Sequence, residues 1–130
     1  MKHKNAAFAL LAILLVMGFS VSLFSCQKST FVGNLVKNSD SYELDIEHMN
    51  GIDTHKLDLQ AGDALQVTFT TVAGTLQLEI AAPDDSVLYS GNGAGATRFT
   101  VNISQSGRYT LTVKAHHAQG TVHICKRSAA

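Results

Sequence analysis

Three regimes of hydrophobic patterning divide the chain. Residues 6–24 form an almost unbroken apolar run behind Lys2 and Lys4, residues 27–41 are mostly polar, and from Tyr42 to Ile124 apolar and polar residues alternate with a period of two. That period marks a strand with one buried face, because successive side chains leave opposite sides of the pleat. Eight such stretches stand out. They carry Tyr42, Leu44 and Ile46; Leu57 and Leu59; Leu65, Val67 and Phe69; Leu76, Leu78 and Ile80; Val87 and Tyr89; Phe99, Val101 and Ile103; Tyr109, Leu111 and Val113; and Val122 with Ile124. Turn-forming residues fall between them, among them Asn50-Gly51, Ala61-Gly62-Asp63, Ala73-Gly74, Pro83-Asp84-Asp85, Ser106-Gly107 and Gln119-Gly120. No stretch after Cys26 keeps a helical period. The pattern predicts an all-β fold: an antiparallel β-sandwich of jelly-roll type, about eight strands, occupying residues 42–126 after an N-terminal signal segment.

The opening run has the parts of a secretory signal, a short cationic start and then an apolar stretch. Its end, Leu23-Phe24-Ser25-Cys26, resembles a bacterial lipoprotein cleavage box. Leu23 and Ser25 match that pattern, and the bulky Phe24 departs from it. The resemblance implies a signal peptide over residues 1–25, lipidation of the Cys26 sulfur, and a tether over residues 26–41. An uncleaved run would instead be about long enough to span a bilayer, with its lysines on the cytoplasmic side, and simple secretion is the third route. Each leaves the domain outside the cytoplasm, and the first two leave it anchored to the cell membrane. Two acyl chains, at about 0.8 kcal/mol per buried methylene, would hold where one is marginal.

Without its leader the chain keeps eight of its ten basic residues against ten acidic ones, a net charge of −2. That balance gives no field for a polyanion, so nucleic acid is not an expected partner. Roughly 100 residues make one small domain, too small for a deep cleft between lobes. As a flexible tether the stretch before Ser41 would reach only about 20 Å. Its apolar residues, Phe31, Val32, Leu35 and Val36, are alternatively a short edge strand.

Leu57-Asp58-Leu59-Gln60-Ala61-Gly62-Asp63, Gly74-Thr75-Leu76-Gln77-Leu78-Glu79-Ile80 leading to Pro83-Asp84, and Ser106-Gly107-Arg108-Tyr109-Thr110-Leu111-Thr112-Val113 resemble the bacterial pre-peptidase C-terminal type of β-sandwich over Tyr42 to Ile124. The resemblance implies a non-catalytic module that binds carbohydrate or matrix, or serves adhesion. Many members carry Asp-x-Asp-Leu where this chain has Gly74-Thr75-Leu76, so no acidic site is carried over.

No catalytic constellation is expected, and the protein is read as no enzyme, with no cofactor implied. Gly91 to Gly95 lacks the Lys-Ser/Thr and the following helix of a phosphate loop. Ser, His and Asp are present without a nucleophile elbow. Asp40, Glu43, Asp45 and Asp53 could supply oxygens to calcium, yet Glu43 and Asp45 alternate with core residues as a solvated strand face does. A hairpin turning on Gln119-Gly120 would set His116 opposite His123, with Cys125 two residues along, close enough for two imidazoles and a thiolate to share a transition metal. Lipidation of Cys26 would rule out its disulfide with Cys125, leaving Cys125 buried, metal-bound or paired with a partner.

The functional expectation is a membrane-tethered, extracytoplasmic binding or adhesion module for a glycan, a matrix polymer or a protein. The alternatives are a structural or assembly subunit docked on another envelope protein, and a weak transition-metal binder.

Overall fold

A computed structural model describes residues 29–95 and 97–129, so the expected signal segment and Cys26 lie outside the described residues. Six strands form: β1 (Thr30–Lys37), β2 (Ser41–Leu59), β3 (Ala64–Ala81), β4 (Val87–Gly91), β5 (Thr97–Asn102) and β6 (Gly107–Arg127). All pairings are antiparallel, in the order β1-β2-β6-β3-β4, with β5 also on β3. The fold is all-β, with six strands in place of the expected eight. Six of the eight alternating stretches are halves of three long strands, β2, β3 and β6, and Thr30–Lys37 adds β1 at the sheet edge. The sandwich therefore starts inside the stretch assigned above to a tether.

The joins explain the difference. Asn50-Gly51, Ala73-Gly74 and Gln119-Gly120 do not reverse the chain. In β2 the buried positions change from even (Tyr42, Leu44, Ile46) to odd (Leu57, Leu59), in β3 from odd to even, and in β6 from odd (Tyr109, Leu111, Val113) to even (Val122, Ile124). The pairing register slips at the same places, around Met49 in β2 and Ala73 in β3. An inserted residue bends a strand and puts everything beyond it out of phase by one. The far half can thus enter the opposite layer with its apolar face still toward the core. His117 and Gly74 take positive φ at this bend, 44° and 68°. Only glycine fits at position 74, because a Cβ there would run into the His117 carbonyl.

One layer then holds β1, the first halves of β2 and β3, the second half of β6, and β5; the other holds the remaining halves and β4. Their inner faces share one core, in which Tyr42, Phe69, Leu78, Tyr109, Leu111 and Ile124 are fully buried. Met49, Ala82 and Ala118 join it. Val87, expected in the buried pattern, is exposed; β4 reaches the core through Tyr89, stacked on Phe99 at 4.4 Å between centroids.

Polar clamps close the molecule. Lys37 Nζ donates to Asp53 Oδ1 and to the Thr54 carbonyl, both at 3.0 Å, and the Tyr42 hydroxyl donates to the same carboxylate. The end of β1 is thereby fastened to the second half of β2. Burial first, and Asp53 second, push the Tyr42 phenol far above its ordinary range.

Candidate functional site

Two regions of the surface are built differently, and the chain's topology puts them at different ends of β1. The first is the loop end, where the turn 60–63, the segment 103–106 and the last residues of the chain meet. Asp63, 7% exposed, accepts from Gln60 N at 2.9 Å and Ala129 N at 3.3 Å, while its own carbonyl accepts from Ile103 N at 2.9 Å. Ser106 Oγ accepts from Ala61 N at 2.9 Å, and the Tyr109 hydroxyl donates to the Gln105 carbonyl at 2.5 Å, a tyrosine corner. Pro83 packs so close to Gly107 that no side chain would fit there. The Ala-Gly-Asp turn and the Ser-Gly-x-Tyr motif, singled out in the sequence, thus hold each other. On this frame Arg108 Nε meets Asp58 Oδ1 at 3.0 Å, both side chains mostly in solvent.

The second region is the bend end, where β2, β3 and β6 change layers and the 92–95 loop crosses them. Gly93 O accepts from Thr71 N at 2.9 Å, and Thr71 Oγ1 donates to Asn92 O at 2.7 Å, so the glycine-rich segment is fastened to β3. A cleft of about 1130 Å³ opens here; Asn50, Ile52, Gln77, Lys114, His116 and His117 line it together with Ser29 and Asn92, and no carboxylate of the described residues does. The His117 ring stands 4.5 Å from that of His116 and 5.8 Å from that of His48. His48 and Ile52 went unremarked in the sequence, and His117 and Lys114 were placed only as partners in the expected hairpin, because the bends read as turns. The parity change in each long strand was the signal available.

The hairpin expected on Gln119-Gly120 does not form. β6 runs on through both residues, with β2 on one side and β3 on the other, so each of its edges already has a partner. His116 pairs with Thr75 at the bend, while His123 lies between Glu43 and Thr68 on the outer face of the first layer. They are not cross-strand neighbours. His123 Nε2 is 2.7 Å from Asp45 Oδ1, and Cys125 Sγ donates to Glu43 Oε1 at 3.6 Å. Burial, with Glu43 adding to it, pushes the Cys125 thiol up, away from the thiolate a metal would want. Among the described residues, no three His, Cys, Asp or Glu side chains converge on a metal position. The carboxylates considered for calcium are engaged with His123, Cys125, Lys37 and, for Asp40, Lys126 at 3.4 Å.

The three tyrosines serve the interior: Tyr42 and Tyr109 are buried and Tyr89 is stacked on Phe99. No helix among the described residues is long and apolar enough to cross a membrane.

No protein-family model matches the chain, and no curated protein matches it. Solved structures do. The crystal structure of Aeromonas hydrophila PliG, a periplasmic inhibitor of g-type lysozyme, aligns with a TM-score of 0.50 at 16% identity, over 72% of this chain and 92% of that one. TmCBM61, solved with β-1,4-galactotriose, aligns with a TM-score of 0.39 at 15% identity, over 69% and 66%. A family GH115 4-O-methyl-α-glucuronidase aligns with a TM-score of 0.42 at 8% identity, over 80% of this chain and 16% of that one. At 16% identity the likeness to PliG is one of fold alone.

Proposed function

We propose that this protein is a non-catalytic, extracytoplasmic binding module, tethered through Cys26, that offers the loop end of its sandwich to a protein partner. The observation that carries this reading is the construction of that end. Asp63, Ser106 and Tyr109 spend their polar groups on fixing neighbouring loops, which leaves Gln60, Ala61, Pro83, Asp84 and Arg108 exposed on a rigid frame. Surfaces fixed before binding lose little conformational entropy when a partner arrives. Sugar sites favour aromatic platforms, and the tyrosines here are otherwise engaged.

The fold it shares with a lysozyme inhibitor makes a wall-cleaving hydrolase the first partner to test. The full chain, produced as the lipoprotein and solubilised in detergent, should bind g-type lysozyme and slow its cleavage of peptidoglycan. Arg108→Glu, at an exposed position, should weaken both without lowering the melting temperature. No association at micromolar concentration would exclude this partner class. Association untouched by Arg108→Glu and by Asp84→Arg would move the contact away from the loop end. The tether has its own check: Cys26→Ser should lose membrane retention or accumulate precursor, and equal palmitate labelling of mutant and wild type would refute lipidation there.

A further inference from the structure

We infer that the bend end of the sandwich docks on the surface of an anionic lipid bilayer, so that the loop end points away from it. The inference rests on the tether proposed above and extends it to a surface of the folded domain.

Its first support is the position of residues 29 and 30. Thr30 pairs with Asn50 at the bend, and Ser29 lies against Gly51. From residue 26 to residue 29 a fully extended chain covers at most about 11 Å. Residues 30–37 are in the sheet, as the edge-strand alternative had it, so the reach between Cys26 and the fold is that of residues 26–29. Acyl chains on Cys26 would hold the bend end at the lipid surface. The eight residues of β1 lead from the bend to the 38–40 turn, about 26 Å along the strand. There Asp40 accepts from Lys126 N at 2.7 Å, next to the segment that closes the loop end.

The second support is the composition of that end. Val72 and Ile52, 67% and 63% exposed, are the most exposed large hydrophobic residues described, and both stand at the bend, Val72 within that of β3 and Ile52 just past that of β2. Lys114 lies directly opposite Ile52 and lines the cleft with it, His116 and His117, and the His48 ring stands 5.8 Å from that of His117; Val72 lies at the same end, in the β3 bend that faces Gln119 and Gly120. Aliphatic side chains, rings with a polar tip and a lysine on an apolar stem are the groups that settle at a lipid headgroup boundary. The carboxylates of this end are Asp53, next to Ile52 in β2 and paired with Lys37, Glu47, exposed on β2 beside His48, and Glu79, two residues beyond Gln77 on β3; none of them lines the cleft. An anionic leaflet therefore meets Lys114 and the imidazoles without an acidic side chain inside the cleft.

The test uses the full lipoprotein in vesicles of phosphatidylethanolamine and phosphatidylglycerol, three to one, in a Cys125→Ser background. A fluorophore is attached at Val72→Cys in one protein and at Ala61→Cys in another, and lipids carrying a nitroxide near the headgroup are added. The Val72 probe should be quenched at least fivefold more than the Ala61 probe, and Ile52→Glu with Val72→Glu in a third protein should leave the domain folded and anchored. Equal quenching of the two probes on vesicle-bound protein, or stronger quenching at Ala61, overturns the docking inference and leaves the tether standing. Protein found free of the vesicles, with Cys26→Ser behaving as wild type, overturns both.

Discussion

Tyr42→Phe isolates one clamp of this fold. The ring is fully buried and packs 5.3 Å from the His55 ring, and phenylalanine preserves that volume, so the change removes only the hydroxyl that donates to Asp53. A hydrogen bond to a charged acceptor contributes about 1.5–3 kcal/mol when both groups are buried. Asp53 is a quarter exposed and keeps its ion pair with Lys37 at 3.0 Å, so the lower part of that range applies, about 1.5–2 kcal/mol. For a domain of this size the melting temperature should fall by roughly 5–10 °C at pH 7. The alkaline limb supplies the sign. The phenol is raised above its ordinary value in the folded state, so its contribution is complete below pH of about 10 and is lost as pH rises through the folded value. Wild-type stability should therefore decline above pH of about 10 by up to one additional proton's worth, about 1.4 kcal/mol per pH unit, that the Phe variant does not show. Thermal melts by circular dichroism at pH 7, 9, 10 and 11 measure both. An unchanged midpoint at pH 7, or parallel alkaline limbs, would refute the clamp.

Leu111→Ala should destabilise by about 2–5 kcal/mol, the ordinary cost of a cavity at a fully buried leucine, read as the midpoint of a urea melt. Gly74→Ala should cost at least as much per atom added, since the new Cβ meets the His117 carbonyl at a backbone angle that L residues rarely adopt; a melt equal to wild type would show that the bend is not as described. The Cys125 thiol should react with iodoacetamide at pH 8 more slowly than a free cysteine, because burial and Glu43 both favour the protonated form, and Glu43→Gln should speed it.

Alternation alone determined the class of fold and most of its core. Leu44, Leu65, Leu78, Leu111 and Ile124 could be assigned to one interior because a period of two admits a single reading of which side chains share a face. The buried parity of each stretch was equally legible, yet what joined one stretch to the next was not. Asn-Gly or Ala-Gly between two out-of-phase stretches satisfies a hairpin turn and a bulged corner alike, and local chemistry does not choose between them. Tertiary structure chose, because β6 has β2 on one edge and β3 on the other along most of its length, which leaves no edge for it to fold back on itself. The same choice separated His116 from His123, drew His48, His116 and His117 together, and took Phe31 to Val36 out of a tether and into an edge strand. Partners of that kind are set by pairing across long sequence separations, such as Lys37 with Asp53 or Ala61 with Ser106, and a pattern read along the chain carries no record of them.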